Sequence, residues 1–171
     1  MSADTPKLLI VLRHAKSAWP DVPDHDRPLA DRGRRDAPEA GRWLNRANRR
    51  PDRVICSTAR RARETWSLAA AELDSPPPVD HDKRVYAADY PDLLRVLAET
   101  PDEVTTLALV GHEPGVRELT LYLTGAAIGD ARTGVDAKFP TSALAVLAVP
   151  GPWSDLQPES ALLTDFVIPR G

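Results

Sequence analysis

Cysteine is nearly missing from this sequence: Cys56 is the only one in 171 residues. A single thiol excludes an intramolecular disulfide and any Cys-rich zinc site. Its place in the apolar run Val54-Ile55-Cys56 reads as a small core residue. Excess positive charge is missing too. Against 25 acidic residues stand 22 Lys and Arg, a formal net charge of -3, so no global basic field draws the chain to nucleic acid, and any anion site must be local. No apolar run approaches the roughly 20 residues of a membrane span. The N-terminal Met-Ser-Ala-Asp-Thr-Pro-Lys has neither the charged n-region nor the apolar h-region of a targeting peptide. The expectation is a cytoplasmic protein with no nucleic-acid or membrane partner. No internal repeat is visible. Of the four histidines, none shows His-x-x-x-His spacing, which argues against a metal hydrolase.

What remains is a globular balance, 42% hydrophobic and 27% charged, long enough for one domain over residues 1–171 with a sizeable core. The 17 prolines are scattered or stand at element edges. Only Ser75-Pro-Pro-Pro78 resembles a linker, and it is too short to divide domains.

Leu8 to Leu12 form an uninterrupted apolar run, which reads as a strand buried on both faces. It ends abruptly in Arg13-His14, then the small Ala15. In open α/β sheets ligands gather beyond the carboxyl ends of the strands. A cation and an imidazole there suit an anion such as phosphate. The pair alone is equally compatible with a strand that ends in solvated polar residues.

A long polar loop follows to about Ala30, with Pro20, Pro23 and Pro28. Ala37, Ala40, Leu44 and Ala47 recur at helical steps. That helix starts at Asp31 with an irregularity at Pro38, or at Asp36 with Pro38 in the tolerant first turn; we favour Asp31. Arg53-Val-Ile-Cys56 reads as a second strand, and Arg60 to Leu73 as a second helix. The segment from Pro76 to Asp89 reads as irregular. A third helix opens at Pro91, and a third strand runs from Thr105 to Val110. It ends in Gly111-His112-Glu113-Pro114-Gly115, followed by a helix stopped near Gly125. Residues 126–140 read as a loop, and Ser142–Val149 and Leu163–Ile168 as the last strands. The alternation predicts an α/β layered fold with a largely parallel sheet.

Three strand ends then carry related chemistry. Arg13-His14 follow the first, Ser57 with Arg60, Arg61 and Arg63 follow the second, and Gly111-His112 follow the third. In a parallel sheet these ends share one edge. Two imidazoles and at least two guanidiniums would converge there with two helix N-termini, which favour anions. Arginine's fork of donors matches phosphate oxygens two at a time.

These residues resemble the histidine phosphatase superfamily, the one that includes cofactor-dependent phosphoglycerate mutase. Arg13-His14-Ala15 is similar to its Arg-His-Gly signature, with Ala for Gly. Ser57-Thr-Ala-Arg60-Arg61-Ala62-Arg63-Glu64-Thr65 resembles its Ser-x-x-x-Arg-Ala-x-x-Thr pattern. Val110-Gly111-His112-Glu113-Pro114 is similar to the motif around its second histidine. Asp26-Arg27-Pro28-Leu29 and Arg32-Gly33 look like the SixA-type branch of small phosphohistidine phosphatases. The resemblance implies a three-layer α/β/α fold, phosphoglycerate mutase-like, with a largely parallel central sheet. It further implies a metal-independent phosphatase without cofactor, acting through a phosphohistidine intermediate on His14. Arg13 and Arg61 would clamp the phosphoryl group, and His112, protonated by the phosphate's charge, would donate to it. Ser57 and the backbone N–H of Glu113 would bind the same oxygens, with Lys16 at the rim. Arg60 and Arg63 read as solvated helix charges, Ser17 as a structural hydrogen-bonder, and His25 and His81 as surface residues. Trp19, Trp43, Trp66 and Trp153 read mostly as core or edge packing.

One departure bears on substrate. Mutase-like members carry a catalytic glutamate after the second-helix region, whereas this chain has Val79-Asp80-His81-Asp82 and then Tyr86. Asp80 or Asp82 could serve as the acid, although both also read as loop carboxylates. An alkoxide leaving group needs general-acid help of about 10²–10⁴-fold. An imidazole leaves already protonated. The expected substrate is therefore a phosphohistidine on a protein. Alternatives are a small phosphate ester and, from another class, a phosphate-binding module without catalysis.

Overall fold

The computed structural model describes residues 6–171; the first five residues of the stretch read for a targeting peptide lie outside it. The apolar run forms β1 (Lys7–Arg13), in which Leu9 to Leu12 are at most 1% exposed. Burying such side chains stabilises by roughly 1.5–3 kcal/mol each relative to exposure. Alternation sends Leu9 and Val11 to one face of the sheet and Ile10 and Leu12 to the other. Both faces are therefore core, and β1 needs a helical layer on each side.

Those layers come from the other elements: α1 (Asp31–Arg46), β2 (Arg53–Ser57), α2 (Arg60–Ala70), β3 (Val79–Asp82), α3 (Tyr90–Leu97), β4 (Thr106–Gly111), α4 (Gly115–Leu123), β5 (Thr124–Ala127), α5 (Ala131–Ala137), β6 (Leu144–Val149) and β7 (Ala161–Val167). The sheet order is β3-β2-β4-β1-β6-β7-β5. Strands β3, β2, β4 and β1 run parallel. β6 is antiparallel to β1 and β7, and β5 is parallel to β7. Ala40, Leu44, Ala62, Trp66 and Ala69 of α1 and α2 pack on Ile10, Leu12, Val54 and Val110. Leu93, Leu97, Leu119 and Val135 of α3 to α5 cover Leu9, Val11, Leu107 and Leu109 on the opposite face. The expected three-layer α/β/α arrangement with a mostly parallel sheet is thus the observed one.

Three segments differ from the sequence reading. Part of Pro76–Asp89 is the edge strand β3, with Val54 opposite Val79 and Ser57 opposite Asp82. Its run Val-Asp-His-Asp has one apolar residue, so backbone pairing to β2, not side-chain pattern, makes it a strand. Residues 126–140 hold the end of β5 and all of α5, whose single buried residue is Val135; one apolar contact leaves no period to read. β7 begins at Ala161, earlier than expected, because backbone pairing extends it: Ala161 lies opposite Thr124 of β5 and Leu162 opposite Ala148 of β6. The favoured start of α1 holds: it begins at Asp31 and carries Pro38 in its interior, with Ala30 at the capping position.

Candidate active site

The order β2-β4-β1 brings three strand ends side by side. Arg13 and His14 come at the end of β1, Ser57 at the end of β2, and Gly111-His112 at the end of β4. His14 is fixed by its backbone: its N–H donates to the Gly111 carbonyl (3.1 Å), and its own carbonyl accepts from the Ser142 N–H (3.0 Å). Ala15 is fully buried, and its N–H donates to Thr65 Oγ1 of α2 (2.9 Å).

The His14 side chain is 6% exposed. Its Nδ1 lies 2.7 Å from the Ala15 carbonyl oxygen. A carbonyl only accepts, so Nδ1 carries the proton and the lone pair sits on Nε2. Burial, together with the nearby His112, Arg13 and Arg61, pushes the His14 pKa down to about 3. The ring is therefore neutral at physiological pH, the form a nucleophile requires.

Around it lies a cleft of about 290 Å³ lined by Arg13, Arg61, His112 and Glu113. Its lining also includes Lys16, Ser17, Trp19, Arg27 and Thr141. Arg13 is steadied by donation from Nη1 to the Phe139 carbonyl (3.0 Å). The His14 and His112 ring centroids are 5.2 Å apart. Among the described residues, the Nε atoms of Arg13 and Arg61 and Nδ1 of His112 are buried without a hydrogen-bond partner. Buried polar groups are normally satisfied, and these three belong to residues that line the cleft. Burial and the Arg61 charge lower the His112 pKa to about 4. His112 is thus neutral at physiological pH.

The structure re-sorts the supporting residues. Ser57 is fully buried, with its hydroxyl 2.8 Å from His112 Nε2 and accepting from the Ala59 N–H (3.2 Å). It stands behind His112, outside the cleft lining, and holds that ring. Lys16 is exposed at the cleft, as expected of a rim residue. Ser17 is buried and accepts from Arg27 Nη1 (2.8 Å), the structural role expected of it. Glu113 contributes a carboxyl whose pKa burial raises, and Oε1 accepts from the Arg117 N–H at the start of α4 (2.9 Å). Asp80 and Asp82 are not at this cleft. They lie on β3, against a separate cavity of about 250 Å³. Asp80 is paired with Arg53 (2.7 Å) and Asp82 with Arg84 (2.7 Å). The Arg84 hydrogen bond holds Asp82 below the usual carboxylate range, which unsuits it as an acid.

Sequence reasoning missed the hub, Asp24. Its carboxylate accepts from Tyr86 Oη (2.6 Å), Arg27 Nε (3.0 Å) and Arg61 Nη2 (3.1 Å), while its carbonyl accepts from Arg61 Nη1 (2.8 Å). The Tyr86 hydrogen bond and the two guanidiniums hold this carboxyl well below its ordinary value. Asp24 therefore aims Arg61 into the cleft. His25, read as a surface residue, stands 2.9 Å from Thr58 Oγ1 and packs edge-on against Tyr86, with centroids 4.8 Å apart. The signal for this loop was the Asp26-Arg27-Pro28-Leu29 resemblance, which carried no residue roles.

Comparisons with known proteins bear on the family and the fold. The model of the histidine phosphatase superfamily (branch 1) matches residues 9–94. An uncharacterised protein of Mycobacterium tuberculosis is 44% identical over 162 residues, covering 93% of this chain and all of that protein. One from Mycobacterium leprae is 43% identical over 165 residues, with 93% of this chain and 100% of that protein covered. Among solved structures, a candidate phosphohistidine phosphatase SixA from Nakamurella multipartitia superposes with a TM-score of 0.82. It is 29% identical, over 95% of this chain and 96% of its own. The protein histidine phosphatase SixA complexed with tungstate shares the fold with a TM-score of 0.77, at 21% identity over 95% of this chain and 97% of that one.

Proposed function

The chain belongs to the histidine phosphatase superfamily, and on that premise we propose that it hydrolyses phosphohistidine through a transient phosphohistidine of its own. The carrying observation is the His14 tautomer, which leaves the Nε2 lone pair free in a cleft of guanidiniums. Nε2 attacks phosphorus in line. The P–Nε2 bond forms as the bond to the leaving nitrogen breaks, and the electron pair departs with that nitrogen. Arg13 and Arg61 hold the equatorial oxygens as charge redistributes, and His112 takes up a proton in the anion's field and donates to one of them. Water then attacks the phosphorus, the P–Nε2 bond breaks with its electron pair returning to His14, and phosphate leaves. Two guanidiniums and an imidazolium supply the charge, so no step calls on a metal or cofactor.

One observation favours a second reading, a small phosphate ester. Glu113 is a half-buried carboxyl in the cleft with a raised pKa, the property of a general acid for an alkoxide. A phosphate-binding module without turnover is the third reading, and a nucleophile-ready His14 speaks against it. A chelator-treated panel tests all three, setting a phosphohistidine-bearing protein against glycerol phosphate. We expect phosphate release from the former and a radiolabelled, acid-labile enzyme adduct, both lost in His14→Ala. Activity retained in His14→Ala sinks the mechanism. Ester turnover that Glu113→Gln abolishes shifts the assignment to the second reading, and phosphate binding without turnover of any substrate shifts it to the third.

A further inference from the structure

Beyond the phosphoryl group, the cleft has an outer wall of unusual composition. Trp19 lines the same cleft as His14, yet it is 77% exposed, not packed in the core. Its ring lies on the Arg27 guanidinium, 3.5 Å from the carbon to the centroid. Arg27 is itself buried. Nη1 donates to Ser17 Oγ (2.8 Å) and the Ala18 carbonyl (3.1 Å), and Nε donates to Asp24 (3.0 Å). One face of the indole therefore rests on a cation that is locked in place, and the exposure belongs to the other. Exposing a large aromatic forgoes the burial that usually fixes such residues. The stack on Arg27 fixes this one instead, at the mouth of a phosphate cleft.

We propose that Trp19 is the specificity-determining residue for the leaving group, and that it receives a planar aromatic or heteroaromatic ring by stacking. This rests on the phosphatase reading above and narrows its substrate class to ring-bearing phosphoryl donors. The imidazole of phosphohistidine and the ring of an aryl phosphate share the required flat π-face. An alkyl alcohol or an aliphatic amine lacks it. The exposure of this indole at the cleft suits a ring carried on a protein side chain.

The test separates the ring from the chemistry by using inert ligands. Phenylphosphonate and cyclohexylphosphonate place a flat and a puckered six-membered ring on the same anion. Titration calorimetry on the full chain reads their affinities in the wild type, Trp19→Phe and Trp19→Leu. We expect the wild type to favour phenylphosphonate by about 5–10-fold, the scale of an aromatic pair. Trp19→Phe should keep most of that preference, and Trp19→Leu should erase it by weakening only the phenyl ligand. A wild type with no preference overturns the proposal, as does a preference that survives in Trp19→Leu. Equal weakening of both ligands also overturns it, because it marks Trp19 as a mere cover for Arg27. Turnover assays identify the source of the ring. A KM for free phosphohistidine that rises in Trp19→Leu while phospholysine is unaffected supports an imidazole; the same pattern confined to phenyl phosphate supports an aryl ester. If no substrate turns over, the phosphatase reading fails, and the phosphonate preference still decides the stacking.

Discussion

At the scale of single residues, the two facing histidines set a pH dependence. Their rings are neutral in the fold, with pKa values of about 3 and about 4 against 6.5 for an ordinary imidazole. Between these values the unfolded chain binds protons that the native state refuses, so stability falls as pH drops below about 6.5 and is undisturbed above it. The penalty approaches about 2 kcal/mol per ring at pH 5. Urea unfolding at pH 7.5 and pH 5 is expected to show this loss, and a His14→Asn/His112→Asn double variant is expected to lose less on acidification. Arg13, His14, Arg61 and His112 were legible because each stands beside a strand end within a short motif. Asp24 was not, because its partners Arg61 and Tyr86 lie 37 and 62 residues away. No local pattern announces a carboxylate whose meaning is set across such separations. Ser57 was legible as a member of the site, yet the structure turns its hydroxyl to His112 and not to the cleft. Trp19 could not be told from the other tryptophans for a related reason: aromatic residues are usually core, as Trp66 and Trp153 are. Only the fold shows which one is left at the surface.

Elements show the same division. β1, β2, β4, α2 and α4 announced themselves through apolar runs and periods because both faces of the central sheet are buried. β3, β5 and α5 bury little, so their sequences hold no period to detect. The join between α1 and the loop after His14 is where an element controls the site. A Cβ on Gly33 would stand 2.1 Å from the Lys16 carbonyl oxygen, a backbone atom that cannot rotate away. Glycine costs a helix about 1 kcal/mol relative to alanine, yet here it permits the helix to seat against the strand-end loop. The same close approach accompanies the hydrogen bond from the Ala30 N–H to the Lys16 carbonyl (2.9 Å) and the Ser17–Leu29 bridge. Gly33→Ala is expected to destabilise by about 1–3 kcal/mol, as overpacking does, despite its better helix propensity. A lowered urea midpoint with an unchanged slope would verify it.

For the whole molecule, a net charge of -3 surrounds a positively charged cleft, so anion affinity depends on local geometry and not on a global field. Inorganic phosphate is expected to raise the melting temperature, adding about 2.7 kcal/mol of stability at one hundred times its dissociation constant. Arg61→Ala should remove most of that gain, and added sodium chloride should reduce it by screening; differential scanning fluorimetry reads both. The order of the sheet was beyond the sequence, which holds the strands but not their neighbours. That order places β1 at the centre, four strands from one rim strand and four from the other when β1 itself is counted. The His14 amide, just past the end of β1, is bonded to Gly111 on one side while its carbonyl holds Ser142 on the other, so it is expected to open late. Fraying is expected to begin at the rim strands β3 and β5, where amide exchange measured by NMR should proceed through small local fluctuations. At His14 it is expected to wait for global unfolding, so the buried imidazole keeps its place while the rims breathe.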